Sequence, residues 1–175
     1  GAIAGPKQDY DKLWFTRQAI GSTLDAYSAS LLERGLKTFP LRAERMAANA
    51  LALAEWLRDQ PKITNLHYPG LPNDAGYPVA QRQMCNGFGG MLSFDAGQSP
   101  EDAKRFISAL KTVVHAVSLG ATESLICIPY LTTMLYLPPE RRTTFGVSRN
   151  TVRMSVGIEP AEAIKNDLRQ ALEAL

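Results

Sequence analysis

A chain of 175 residues with 45% apolar and 21% charged side chains has the make-up of a folded globular protein, able to bury roughly 70% of its unfolded surface. Its 19 basic and 17 acidic residues are interspersed and leave a net charge of only +2, so no basic stripe exists to bind nucleic acid. No apolar run approaches the ~20 residues that span a bilayer, and residues 1–7 lack the basic and apolar regions of a signal peptide, so a soluble, cytoplasmic protein is expected.

Residues 1–40 contain the apolar patch Leu13, Trp14 and Phe15 and a helical stretch over 23–34, with Gly35 as its stop; this part reads as the edge of something larger. Over 41–57, Met46, Ala47, Ala50, Leu53, Ala54 and Leu57 recur at helical spacing and form one apolar stripe, which Gln60 and Pro61 end. A short strand is expected over 63–68, then a loop dense in turn residues over 68–76, then a strand over 89–95. Ser99, Pro100, Glu101 and Asp102 supply an N-cap, a first-position proline and acidic residues for the first turn of a helix. Ala103, Phe106, Ile107, Leu110 and Val114 would share its buried face. Strands over 116–119 and 125–128, a proline-started helix over 138–145 closed by Gly146, a strand over 151–158 and a helix over 161–175 complete the chain. These elements predict an α+β fold in which helices cover one face of a mainly antiparallel sheet. No internal repeat and no phosphate-binding glycine fingerprint is present.

In the last strand Val152, Met154 and Val156 should face the helices, which puts Thr151, Arg153 and Ser155 on the other face. A guanidinium on a rigid strand can grip a carboxylate through two parallel hydrogen bonds, although an arginine in such a place is more often solvated or salt-bridged. Ser118-Leu119-Gly120 falls where a strand gives way to a turn, leaving a hydroxyl and backbone N–H groups open to a small anion, as turn chemistry alone also explains. No base or acid is placed to activate Ser118 as a nucleophile. Cys85 and Cys127 read as buried free thiols, His115 as a satisfied structural residue, and Tyr27, Tyr130 and Tyr136 as packing. Glu159 and Glu162 read as solvated or helix-start charges.

Several short motifs occur in a consistent order: residues 1–5 (GAIAG), 32–38 (LERGLKT) with Leu41 and Arg42, 67–71 (HYPGL), 89–91 (GGM), 118–120 (SLG) with 123–125 (ESL), 138–141 (PPER) and 152–159 (VRMSVGIE). Together they resemble the pyridoxal-phosphate enzymes of cysteine and methionine metabolism, a family of cystathionine γ-synthases, cystathionine lyases, methionine γ-lyases and O-acylhomoserine sulfhydrylases. The resemblance implies the C-terminal part of a fold-type I enzyme, with residues 1–40 ending the cofactor domain and starting the interdomain helix, and residues 41–175 forming the small domain. It implies that Arg153 binds the substrate α-carboxylate with Ser118 beside it, and that this chain holds no catalytic residue, no cofactor ligand and no metal.

The family's chemistry is β- or γ-elimination, or γ-replacement, on a sulfur amino acid or O-acylhomoserine, with the pyridine ring as electron sink. The family's Schiff-base lysine would lie just upstream of residue 1, and Lys7, Lys12 and Lys37 do not occupy its Ser-x-x-Lys setting. Pyridoxal phosphate is thus expected in the complete enzyme and not in this chain alone, whose expected partners are the amino-acid substrate, an N-terminal cofactor-domain portion and further copies in a homotetramer. Val117 stands where cystathionine γ-synthases and γ-lyases usually have Glu, which favours a methionine γ-lyase-like or sulfhydrylase-like substrate. The alternative is a stand-alone, non-catalytic assembly or regulatory domain that keeps the fold.

Overall fold

In a computed structural model that describes residues 3–175, the chain forms two compact units, Gly1–Phe39 and Pro40–Leu175. The first unit is helical. A 3-10 turn at Lys7–Asp9 leads into α1 (Tyr10–Ala19), which carries Leu13, Trp14 and Phe15 and stacks Trp14 on Tyr10. Helix α2 (Ala26–Leu36) starts at Asp25, whose carboxylate accepts the Ser28 N–H at 2.9 Å.

Helix α2 runs through Gly35 instead of stopping there. A terminating glycine adopts a left-handed φ, as Gly21 does at +72° after α1; Gly35 keeps helical geometry and costs the helix only about 1 kcal/mol relative to alanine. Of the motif at residues 1–5, Gly1 and Ala2 lie outside the described residues, and residues 3–5 form no regular element.

The second unit is built on a five-stranded sheet. Its strands are β1 (Ile63–His67), β2 (Met91–Ala96), β3 (Val114–His115), β4 (Leu125–Cys127) and β5 (Thr151–Ser155), in the order β1-β2-β5-β4-β3. All neighbours are antiparallel except the parallel pair β3 and β4. Helices α3 (Phe39–Arg58), α5 (Pro100–Ala109) and α7 (Ala161–Glu173) cover one face. Leu53 and Leu57 of α3, Phe106 of α5 and Leu168 of α7 join Phe94, Ile126, Val152 and Met154 in one buried cluster. Each large apolar side chain removed from water there contributes roughly 2 kcal/mol. The α+β expectation, with helices on one face of a mainly antiparallel sheet, describes this unit.

Ser99 and Asp102 form a reciprocal capping box at the start of α5, with Pro100 in its first turn. The helix ends at Ala109, so Val114 lies on β3 and not on the helix face. The cause is Asp167 of α7, 6% exposed, whose carboxylate accepts the N–H groups of Lys111, Thr112 and Val113 at 2.8–2.9 Å and turns the chain away. Strand β3 accordingly pairs at 114–115, upstream of the expected 116–119.

Other boundaries shift for similar local reasons. Strand β2 begins after Gly89, whose φ is +76°, and β5 ends at Ser155 because the Gly157 N–H bonds the Ser124 hydroxyl and not a strand. The short helix α4 (Tyr77–Gln83) was not expected, although Pro78 in its first turn is a start signal; α6 (Pro139–Thr144) lies within the expected helix before Gly146, whose φ is +70°. Cys127 is buried as expected, whereas Cys85, in the irregular surface segment after α4, is exposed. Tyr130 is buried, with the guanidinium groups of Arg142 and Arg149 4.9 and 5.2 Å from its ring centre, but Tyr27, Tyr136 and His115 are exposed and do not pack as expected.

Burial would raise the Asp167 carboxyl, but its bonds from the N–H groups of Val113, Lys111 and Thr112 hold it below its ordinary value. A depressed folded-state value contributes stability that is complete above the unfolded carboxyl value of about 3.9 and is lost as pH falls through the folded value. Asp167→Asn should therefore cost about 2 kcal/mol at neutral pH and weaken the acid dependence of unfolding. Urea unfolding of both proteins at neutral and acid pH checks this; identical neutral stabilities would contradict it.

Candidate functional site

The central pair of strands places Arg153. Its Cα lies opposite Ser93 of β2 on one side and Cys127 of β4 on the other, so the backbone is locked by ladders on both flanks. Alternation sends Val152 and Met154 into the core and puts Arg153 on the other, polar face, in one row with Ser93, Cys127 and His67. Thr151 and Ser155 share that face, as expected, but are themselves buried by their own hydrogen bonds and neighbours.

The Arg153 guanidinium reaches to the loop after β3. Its Nη2 donates to the carbonyl of Val117 and, at 3.4 Å, to that of Ser118. The structure therefore brings together the two residues that the sequence singled out. Among the described residues both bonds run from Nη2, which leaves the N–H groups of Nε and Nη1 without a described acceptor. The Ser118 hydroxyl is exposed and, among the described residues, makes no hydrogen bond.

Among the described residues Arg153 belongs to no salt bridge, in contrast to the salt-bridged reading of a strand arginine. The acids nearest to its elements are already occupied. Asp95, opposite Thr151, accepts from the Thr151 hydroxyl at 2.6 Å, the Ser148 hydroxyl at 3.1 Å and the Asn65 amide at 2.7 Å. Glu159 accepts the N–H of Ser124 at 2.6 Å and its hydroxyl at 2.9 Å. A permanently charged guanidinium without a protein carboxylate is suited to a carboxylate from a ligand.

Glu159 is thus not the solvated charge expected of it; Glu162, exposed and paired with Lys165, is. Asn49 is the other residue that the sequence reading passed over. It is 4% exposed inside α3 and donates to the carbonyls of Gly157 at 3.0 Å and Glu159 at 2.8 Å. An amide within the apolar stripe of 41–57 was the available signal.

None of the chain's lysines lies on a strand; Lys62, Lys104, Lys111 and Lys165 of the second unit sit on or beside α3, α5 and α7. Among the described residues no group of three or more His, Cys, Asp or Glu is placed to hold a metal ion. A cavity of about 170 Å³ lined by Arg58, Leu66, Leu71 and Asp74 does not include Arg153.

Comparison with known proteins bears on these residues. The family described as Cys/Met metabolism PLP-dependent enzyme matches residues 1–173. The chain is 41% identical over 171 residues to a cystathionine gamma-lyase of Bacillus subtilis, covering 98% of this chain and 45% of that protein. It is 38% identical over 176 residues to an L-methionine gamma-lyase of Pseudomonas putida, covering 99% and 44% respectively. The crystal structure of cystathionine gamma-lyase from Lactobacillus plantarum complexed with L-serine superposes with a TM-score of 0.92 at 34% identity, over 98% of this chain and 45% of that one. The chain spans less than half the length of these relatives.

The loop bearing Ser118 closes tightly on the end of β5. A Cβ added to Gly157 would run into the Thr122 carbonyl oxygen, the Glu159 carboxylate and the Glu123 backbone, two of which are main chain and cannot swing away. Gly157→Ala should cost about 2 kcal/mol of stability by crowding. An unchanged midpoint in thermal unfolding would count against this packing.

Proposed function

This chain belongs to the Cys/Met metabolism PLP-dependent enzyme family, and on that premise we propose that it supplies the substrate-carboxylate site of an enzyme acting on a sulfur amino acid or an O-acylhomoserine. The observation that carries the proposal is the Arg153 guanidinium, fixed on the central strand and tied to the Val117 and Ser118 carbonyls without a carboxylate partner among the described residues. In this reading the guanidinium holds the α-carboxylate of the substrate through its remaining N–H groups, and the Ser118 hydroxyl donates a further bond. The grip orients the amino acid and leaves its side chain to the rest of the pocket.

In this reading the residues of this chain serve the substrate and not the cofactor. Pyridoxal phosphate needs an amine for its carbonyl, and Lys7, Lys12 and Lys37 do not stand in the Ser-x-x-Lys setting that the family resemblance calls for. We therefore assign cofactor binding and the catalytic lysine to a separate, N-terminal portion of the complete enzyme. Residues 1–40 would then close the cofactor domain, residues 41–175 would be the small domain, and the whole would work as a cytoplasmic homotetramer. The relatives include gamma-lyases, a gamma-synthase and a sulfhydrylase, which supports elimination or replacement at the β or γ carbon. Val117, in place of a glutamate, favours a substrate of the methionine γ-lyase or sulfhydrylase kind over cystathionine.

In the complete enzyme Arg153→Ala should lower kcat/KM about a hundredfold, near 3 kcal/mol, and Arg153→Lys should recover only part of it. A kcat/KM close to the parent's in the alanine variant would overturn the assignment. Borohydride reduction followed by denaturing mass analysis tests the division of labour: the 19.2 kDa chain should carry no pyridoxyl group, which should sit on a lysine-bearing portion. Pyridoxyl attached to this chain's own residues would contradict it.

A further inference from the structure

The loop that Arg153 grips is held by a second set of bonds that do not involve the guanidinium. Residues 117–124 run beside β5 and its continuation and are tied to them repeatedly. The Gly120 N–H donates to the Ser155 hydroxyl at 2.9 Å, and the Ile158 N–H donates to the Thr122 carbonyl at 2.8 Å. The Gly157 N–H donates to the Ser124 hydroxyl at 2.9 Å, and that hydroxyl donates in turn to Glu159 at 2.9 Å. Ser155 and Ser124 are 3% and 0% exposed, so both hydroxyls act within the protein and not on solvent.

The placement of these ties matters more than their number. Ser155 stands two residues from Arg153 on the same strand and the same face, and it holds Gly120, two residues from Ser118. Val117, Ser118, Leu119 and Gly120 are all exposed, and packing alone does not fix where their carbonyls point. Gly120, at φ +73°, makes the turn that brings this stretch back to the strand. The carbonyls that steer Arg153 Nη2 thus inherit their direction from hydroxyls on and beside the arginine's own strand.

We propose that Ser155 and Ser124 are positioning residues for the carboxylate site: they hold the 117–124 loop so that its carbonyls aim the Arg153 guanidinium. Neither touches substrate. The proposal rests on the reading of Arg153 given above and names the residues through which its aim is set. A guanidinium freed from that aim still carries its charge, so the expected defect lies in substrate capture and not in the chemical step.

The test uses Ser155→Ala and Ser124→Ala in the complete enzyme, each close to isosteric, with thermal unfolding to verify the fold. Each should raise KM about tenfold and leave kcat within about twofold. The effect should largely disappear in an Arg153→Ala background, where no guanidinium remains to be aimed. In Ser155→Ala, hydrogen exchange at the Gly120 amide should also accelerate, while the Ala116 amide, bonded to the Ile126 carbonyl, should not change.

An unchanged KM in the single variants overturns the proposal. So does a rise in KM that is equal with and without Arg153, because that marks a general structural effect. If Arg153→Ala itself leaves kcat/KM intact, the reading of Arg153 fails and the positioning role falls with it, an outcome told apart by that variant alone.

Discussion

The ladder between β2 and β5 is the constraint on which the second unit depends. Five consecutive pairs, from Met91 opposite Ser155 to Asp95 opposite Thr151, set the register at the centre of the sheet. Strand side chains alternate with a period of two, so this register alone decides which residues meet the helices and which face away. Leu92, Phe94, Val152 and Met154 go beneath α3, α5 and α7; Ser93 and Arg153 go to the opposite face. A slip of one residue in β5 would bury the arginine and expose Val152 and Met154. The apolar core and the polar site are therefore two consequences of one alignment.

On the polar face, the distribution of partners distinguishes Arg153 from the acids around it. Asp95, which is buried, accepts from three side chains, and the half-buried Glu159 accepts both the N–H and the hydroxyl of Ser124. The guanidinium is held instead by carbonyl oxygens, which direct it through their dipoles without cancelling its charge. An opposing carboxylate would fix the side chain equally well and would compete with any anionic ligand. Orientation by neutral acceptors keeps a positive charge both aimed and available.

Much of this was legible in the sequence where the governing interaction is local. The stripe from Met46 to Leu57 became α3, the Ser99 to Asp102 cap opened α5, and alternation around Arg153 predicted the polar face correctly. The misplaced boundaries have non-local causes. Val114 followed helical spacing, yet Asp167, more than fifty residues later, captures the preceding N–H groups and ends the helix first. Glu159 resembled a helix-start charge because its partner, Ser124, lies thirty-five residues earlier. Gly35 carried a stop signal that depends on a backbone angle, and the chain does not adopt that angle there. Local pattern reads capping, spacing and alternation; it does not read a carboxylate that reaches across the fold.

The two outer strands of the sheet have a bearing on how the molecule behaves in company. An open strand edge offers unpaired amides and carbonyls to any other chain, the first step of edge-to-edge aggregation. Strand β3 is two residues long, which gives an incoming strand almost no ladder to extend. Strand β1 is interrupted between Thr64 and His67, with Asn65 at φ +48°, so its hydrogen-bonding groups do not run in regular alternation. Both margins thus give an incoming strand little regular ladder to extend, so the ends of the sheet discourage strand addition by their own length and geometry.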